Sequence, residues 1–275
     1  MDDGAVDDGS DIAQFDDREE GKDRQFVTAL ARGLELLRCF GFKERELGLT
    51  ELARRTAIPK PTVARLAGTL AKLGYLEHLE AEGRYRLGAG VLALGYSMLA
   101  RLDVRDVARP PMRELAERAQ ASVSIGVRDR LSMVYVESIR SSASITLQRG
   151  VGTRLALGTT ALGRAYLVGL PEAERAVLLD QLRQRDEGDW PRVEAGINQA
   201  LRDYAEFGFC MSLGEWDKDV YGVGVPFRAP DGTMMAFNCG KPAFKCSREY
   251  LQHELGPALA ELVRKVGGSM GRNTN

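Results

Sequence analysis

The 275 residues, 44% hydrophobic, 28% charged and with a net charge of −1, have the composition of a globular protein with room for one large domain or two ordinary ones. No run approaches the roughly 18 apolar residues that span a bilayer, and the acidic start lacks the basic and apolar regions of a secretory leader, so a cytoplasmic protein with no membrane partner is expected. Four cysteines, Cys39, Cys210, Cys239 and Cys246, lie too far apart in sequence for a metal knuckle or a paired redox motif, which predicts buried thiols and no metal or cofactor.

The small net charge conceals an asymmetry. Residues 1–23 carry ten acids against two bases, and residues 24–88 carry twelve bases against seven acids. A tail of like charge and few apolar groups cannot offset its ordering entropy, so residues 1–23 are expected to be a disordered acidic segment that competes weakly with phosphates for the basic module behind it.

In chain order, Val27, Leu30, Leu34, Leu37 and Phe40 recur at helical spacing and predict a first helix with that stripe inward. Thr50 is placed to cap a second helix whose inner side is Leu52, Ala53 and Thr56. After a turn at Ala57 and Ile58, Pro59 and Pro61 are tolerable only at a helix entrance. A third helix is therefore expected from Lys60 or Pro61 to Gly74, with Val63, Leu66, Leu70 and Leu73 inward and Lys60, Thr62, Arg65, Thr69 and Lys72 outward. YLEHLE and RYRL around Ala81, Glu82 and Gly83 alternate as a β-hairpin. Helix, helix, short turn, basic helix and Gly-tipped hairpin over residues 24–88 make a winged helix-turn-helix whose third helix suits the major groove of DNA. In that reading Arg65 pairs with guanine, while Thr50, Lys60, Pro61, Thr62, Thr69, Arg84 and Arg86 set register along the backbone.

Residues 89–109 predict a linker helix ending at Pro110 and Pro111. Residues 110–269 then read as a mixed α/β domain, with residues 270–275 as a flexible end. Its strands are expected at SVSIGVRD, SMVYVESI and SITLQR, and on either side of the turn at residues 229–232. Its helices are expected over residues 111–120, TALGRAYLVG, PEAERAVLLDQLRQR, VEAGINQALRDYAEFG and SREYLQHELGPALAELVRKVGG. Thr159, Thr160 and Ala161 open one of these helices, where unpaired N–H groups and threonine hydroxyls favour an anion; plain capping by Thr159 or Thr160 is the alternative.

The stretches FVTALARGLELLRCF, LGLTELARRTAIPKPTVARLAGTLAKLGYLEH, YRLGAGVLALGYSML, LALGTTALGRAYLVGL and GFCMSLGEWDKDVYGVGVPFRAPDGTMMAFNCGKP, with the final helix, resemble the IclR family of bacterial transcription regulators over residues 26–267. The resemblance implies an α+β protein: a winged helix-turn-helix, a linker helix, and a GAF-like C-terminal domain that binds a small organic acid. It also implies operator DNA as partner, and a homodimer or a dimer of dimers. FVTALARGLELL is similar to the opening of regulators of aromatic-acid breakdown, such as those of the protocatechuate and 4-hydroxybenzoate pathways. The family's pocket maps onto Thr160, Ala161, Asn238 and Gly240, and its acidic pocket residue onto Glu215 or Asp217. Ser122, Ser124 and Gly126, and the apolar Met133, Tyr135, Trp216 and Phe237, are further candidates for the wall. Pro61 stands where many relatives have Ser. Gly224, in Val223-Gly224-Val225-Pro226, departs from an Ile-Ala-Ala-Pro-like strand and is expected to widen the local space.

Two other readings compete. An enzyme with Cys239 as nucleophile needs a nearby base, and the chain holds only His78 and His253, with no Gly-x-Ser-x-Gly elbow and no phosphate loop. A DNA-binding architectural protein with a purely oligomerising second domain predicts DNA binding insensitive to any metabolite.

Overall fold

The N-terminal part, which holds the predicted helices and hairpin, and the mixed α/β remainder form two units, divided between Arg101 and Leu102. The computed structural model describes residues 25–41, 44–142, 149–185 and 187–272. The acidic segment 1–23 and most of SITLQR lie outside these residues.

In the first unit, α1 (Thr28–Arg38), α2 (Leu49–Thr56) and α3 (Lys60–Lys72) pack beside a three-stranded antiparallel sheet in the order β1-β3-β2, with β1 at Leu47–Gly48, β2 at Leu76–Leu79 and β3 at Arg84–Leu87. Leu36, Leu47, Leu52, Val63, Ala67 and Leu76 are its fully buried centre. The inward stripe of α1 differs from expectation: Gly33, Leu36 and Cys39 face the core, whereas Val27, Leu30 and Leu34 are exposed. Periodicity identifies an apolar stripe but not what covers it. Leu73 is likewise exposed, because it is the C-cap of α3. Beyond it Gly74 takes a left-handed φ of 78°, and the N–H groups of Gly74 and Tyr75 return to the carbonyls of Ala71 and Leu70 at 3.0 and 2.9 Å, closing a Schellman motif. Gly48 rather than Thr50 precedes α2, so Thr50 lies in its first turn and caps nothing.

The helix expected over residues 89–109 is two helices. α4 (Ala89–Leu99) belongs to the first unit, tied down by a Gly90 N–H to Gly74 carbonyl bond of 3.1 Å. A break at residues 100–103 follows, and α5 (Val104–Ala119) carries Pro110 and Pro111 in its interior instead of stopping at them. Burial of Val104, Ala108, Met112, Leu115 and Ala116 stabilises α5 against the local cost of the prolines.

The second unit is a six-stranded antiparallel sheet, order β6-β5-β4-β9-β8-β7. Its strands are β4 (Ser122–Asp129), β5 (Ser132–Arg140), β6 (Arg154–Ala156), β7 (Cys210–Leu213), β8 (Val220–Arg228) and β9 (Met234–Pro242). α6 (Ala161–Val168), buried on every side, packs on β8 and β9, with α8 (Trp190–Phe207) beside it. α7 (Glu172–Arg185) adds Leu178 and Leu182 to the same core. α5 packs on β4, β5 and the final helix α10 (Gly256–Arg272). α10 follows a short α9 (Arg248–Tyr250) and a π-helical turn over Leu251–Leu255, and it continues through Met270–Arg272, where a flexible end was expected. Strands β6 and β7, three and four residues long, are too short for alternation to reveal them.

Candidate DNA-reading surface and effector pocket

On α3 the side chains of Lys60, Pro61, Arg65, Thr69 and Lys72 are exposed and Thr62 is half-buried. Pro61 occupies the first turn, where its missing N–H leaves no hydrogen bond unmade. The turn before α3 is held by Ala57, left-handed at φ 55°. Lys60 Nζ donates to Thr50 Oγ1 at 2.8 Å, which draws those two side chains together at the entrance of α3. Both wing arginines are engaged within the unit. Arg84, first residue of β3 beside the turn, donates to the Glu46 carbonyl at 2.6 Å and lies 3.5 Å from Glu51; Arg86 clasps Glu77 across the hairpin with two contacts of 2.7 Å. The wing tip itself is Gly83, at φ 62°.

In the second unit, one side of the sheet opens into a cavity of about 550 Å3, its mouth included. Ser122 and Ser124 of β4, Tyr135 and Ser138 of β5, Asn238 and Gly240 of β9 and Gly222 of β8 form part of its wall; Thr160 and Ala161 at the start of α6, with Arg149, Leu155, Ser212, Trp216 and Val220, complete it. Antiparallel register sets these groups side by side, since Ser122 pairs with Gly240 and Ser124 with Asn238. Asn238 Nδ2 donates to the Tyr135 hydroxyl at 3.2 Å, while Asn238 Oδ1 and Ser122 Oγ are buried without a protein partner. Burial pushes the Tyr135 phenol above its ordinary value despite hydrogen bonds with Asn238 and Ser124, keeping it neutral. A Cβ added at Gly240 would meet nothing within 4 Å, so this glycine leaves open space in the wall.

The sequence-derived candidates divide. Thr160, Ala161, Asn238 and Gly240 line the cavity, as do Ser122, Ser124, Tyr135 and Trp216. Met133 and Phe237 are fully buried and do not line it, and Gly126 faces Leu162, whose Cδ2 would be 2.6 Å from an added Cβ. The Thr160 hydroxyl is committed locally, donating to the Ala156 carbonyl at 2.7 Å and accepting from Gly163 N–H at 3.0 Å. Thr159 offers its carbonyl to Ser212 Oγ at 2.9 Å. Glu215 turns away to Arg164, 2.8 Å, and accepts from Ser212 Oγ at 3.0 Å and from Leu213 N–H. Burial opposes its charge, but Arg164 and these hydrogen bonds outweigh burial and hold the carboxyl below its ordinary value. Asp217 lies 3.6 Å from Arg149. Gly224 does the opposite of widening the space: a Cβ there would stand 2.2 Å from the Ala161 carbonyl oxygen, so its absence lets α6 sit close on β8.

Two family models match the chain, an IclR helix-turn-helix domain over residues 29–80 and the bacterial transcriptional regulator IclR C-terminal domain over residues 96–267. The chain belongs to the IclR family. It is 36% identical over 248 residues to the transcriptional regulator TsaQ1/TsaQ2 of Comamonas testosteroni, covering 89% of this chain and 88% of that protein. The crystal structure of an IclR-family regulator from Brucella abortus matches with a TM-score of 0.82 at 46% identity, covering 90% and 94% of the two chains. An IclR homologue from Microbacterium hydrocarbonoxydans, complexed with 4-hydroxybenzoate, shares the fold at TM-score 0.67 and 20% identity, covering 89% of this chain and all of that one.

The IclR assignment makes the protein a DNA-binding transcriptional regulator and not an enzyme. The chemistry agrees. Cys239 is fully buried in β9, and burial, reinforced by the nearby Cys246 thiol, pushes its thiol up to about 12, far from a reactive thiolate. His253 is exposed in the π-helical turn, and His78 is stacked on Tyr85 in the other unit, centroids 4.6 Å apart. No helix among the described residues is long and apolar enough to cross a membrane. Reasoning from sequence missed Arg149, Ser138, Leu155, Ser212, Val220 and Gly222 in the pocket wall, since these come from four strands and a loop with no shared period. No local signal marked Arg149: it packs over the Trp216 ring at 4.0 Å only because the fold brings together residues far apart in sequence.

Proposed function

We propose that this regulator reads its operator with the outer face of α3 and responds to a small organic acid, aromatic in class, held in the cavity of the second unit. The observation that carries the effector half is the cavity itself. An aromatic and aliphatic wall from Trp216, Leu155 and Val220 meets hydroxyls, an amide and one guanidinium, with Asn238 Oδ1 and Ser122 Oγ buried and unpartnered. Buried polar atoms without partners are uncommon in native structures and mark places that a ligand or water completes. The Microbacterium homologue's 4-hydroxybenzoate suggests the first compounds to try.

For DNA, Arg65 is the base-reading candidate and Thr50, Lys60, Pro61, Thr62 and Thr69 the backbone-facing ones. In this proposal Arg84 and Arg86 exchange Glu51 and Glu77 for phosphate. Arg65→Ala is expected to weaken operator binding by about 1–3 kcal/mol, with affinity for unrelated DNA little changed; fluorescence anisotropy on both duplexes checks this, and equal losses on both would reduce Arg65 to a phosphate contact.

Two copies are needed to read two half-sites, and α4 offers the contact. Leu92, Leu94, Tyr96 and Met98 are exposed and no residue of α4 is buried, although every residue of it except Tyr96 and Ser97 is aliphatic, Met or Gly. An apolar helix left uncovered marks an association surface. Leu94→Glu with Tyr96→Lys is expected to yield a monomer by sedimentation velocity and to lower operator affinity by about 100-fold, the loss of bivalence. A dimer persisting in that variant would move the interface elsewhere.

The effector must favour one arrangement of the heads over another, because equal affinity for both would shift nothing. The direct test is a gel shift on DNA upstream of the protein's own gene at near-physiological salt, with competitor DNA, without and with a panel of aromatic and aliphatic acids. A specific shift altered by one acid supports both halves. A shift indifferent to all of them favours the architectural reading.

A further inference from the structure

We infer that Asn238 Oδ1 and Ser122 Oγ recognise a hydroxyl on the effector, so that the cavity selects hydroxylated aromatic acids over unsubstituted ones and turns the carboxylate away from this end. This rests on the acid-effector reading above and names the substituent and the residues behind its selectivity. Strand register builds the place. Ser122, Gly240, Gly222 and Ser212 lie directly opposite one another across β4, β9, β8 and β7, and all four line the cavity. The two residues between the serines are glycines, and a Cβ at Gly240 would meet nothing within 4 Å, which leaves a bare strip of backbone for a flat ring. The two ends of the strip differ. Ser212 Oγ is engaged by the Thr159 carbonyl at 2.9 Å and by Glu215 at 3.0 Å, whereas Ser122 Oγ is buried without a protein partner. Asn238 stands two residues along β9 from Gly240, which makes it the diagonal neighbour of Ser122 on the same face, about 7–8 Å away on such a ladder.

Counting protons fixes which amide atom of Asn238 is left over. Ser138 Oγ donates to the Arg149 carbonyl at 3.0 Å, so Ser124 supplies the proton in its 2.9 Å contact with Ser138. Ser124 can then only accept from the Tyr135 hydroxyl, and Tyr135, its proton used, can only accept from Asn238, at 3.2 Å. The amide therefore turns Nδ2 toward Tyr135 and keeps Oδ1 as an acceptor with no donor, on a side chain that is 9% exposed. An ionised carboxylate cannot satisfy that oxygen, because it has no proton to give. A hydroxyl can, donating to Oδ1 while accepting from the Ser122 O–H.

The test uses the full-length protein, titrated by calorimetry and tryptophan fluorescence with benzoate, 3-hydroxybenzoate, 4-hydroxybenzoate and the methyl ethers 3-methoxybenzoate and 4-methoxybenzoate, which keep the oxygen but lose its proton. Parental protein is expected to bind one of the hydroxybenzoates about tenfold or more tighter than benzoate and than its own methyl ether. Asn238→Ala should erase that ratio, bringing the hydroxybenzoate down to the level of benzoate; a merely structural defect weakens all five acids together and keeps the ratio. Ser122→Ala should reduce the ratio several-fold, and it decides the matter if Asn238→Ala does not fold. Equal affinity of the parental protein for all five acids, or a ratio preserved in the folded variants, would overturn the inference and leave the acid-effector reading in place. Should the parental protein bind none of the five acids, that broader reading falls and this inference with it.

Discussion

Arg164→Ala is expected to destabilise the second unit by about 2–5 kcal/mol, the cost of a large core cavity and of buried carbonyls left without a donor. Arg164 lies fully within the core, its guanidinium divided between Glu215 at 2.8 Å and the carbonyls of Gly158 and Met211 at 3.1 and 3.2 Å. Gly196 on α8 makes room for it, since a Cβ there would fall 2.0 Å from Arg164 Nη2. Removing the side chain leaves two carbonyls without this donor, a cavity, and a half-buried carboxylate without its counter-ion. The effect depends on pH in a determined direction. The folded protein holds the Glu215 carboxyl below its ordinary 4.5, so the pair contributes stability that is complete above that value and is lost as pH falls through the folded pKa. The deficit of Arg164→Ala relative to the parental protein should therefore be largest at neutral pH and narrow as pH drops below about 4.5. Urea unfolding followed by tryptophan fluorescence reads this unit specifically, because Trp190 and Trp216 both lie in it. A deficit under about 1 kcal/mol, or one constant with pH, would show that the pair is not a stabilising contact.

Gly224→Ala, a single added methyl, is expected to cost about 3 kcal/mol and to abolish effector binding. The new Cβ would meet the Ala161 carbonyl oxygen at 2.2 Å, its carbon at 2.8 Å and Ala165 Cβ at 2.9 Å. Two of these are backbone atoms, which cannot swing aside as a long side chain can, so α6 has to lift from β8. Ala161 and Thr160 line the cavity, so that shift carries the pocket wall with it. For a unit of this size the cost corresponds to a fall in Tm of roughly 6–12 °C. Gly240→Ala is the matched control. It adds the same methyl on the neighbouring strand, where nothing lies within 4 Å, and should leave Tm nearly unchanged while trimming the pocket. Equal melting temperatures for the two variants would show that α6 is not seated as described.

The contrast at Gly224 also marks where reading the chain alone misled. A glycine in a strand signals close approach or open space with equal force, and only the position of α6 decides between them. The apolar stripes of α1 and α4 are a second case. Their spacing identifies helices correctly, yet Val27, Leu30, Leu34, Leu92 and Leu94 are exposed, since amphipathicity records that a face will be covered and not by which surface. The helix boundary at residues 100–103 is a third. Pro110 and Pro111 looked like a stop, but burial along one side of α5 holds the helix through them.

What the chain determined by itself was the local and the periodic: α2, the tight turn and α3 of the DNA-reading unit, the hairpin wing, the long strands of the second unit, and the family, all carried by proline at a helix entrance, glycine at φ 78° and regular apolar spacing. Only tertiary structure decided the pocket. Its wall takes residues from all six strands of the sheet, the start of α6 and two loops, brought together by strand register over more than a hundred positions in sequence. Tertiary structure likewise decided that Glu215 turns to Arg164 while Asp217 meets Arg149, because the choice of counter-ion depends on which guanidinium the fold brings within 4 Å and not on the order of acids in a loop.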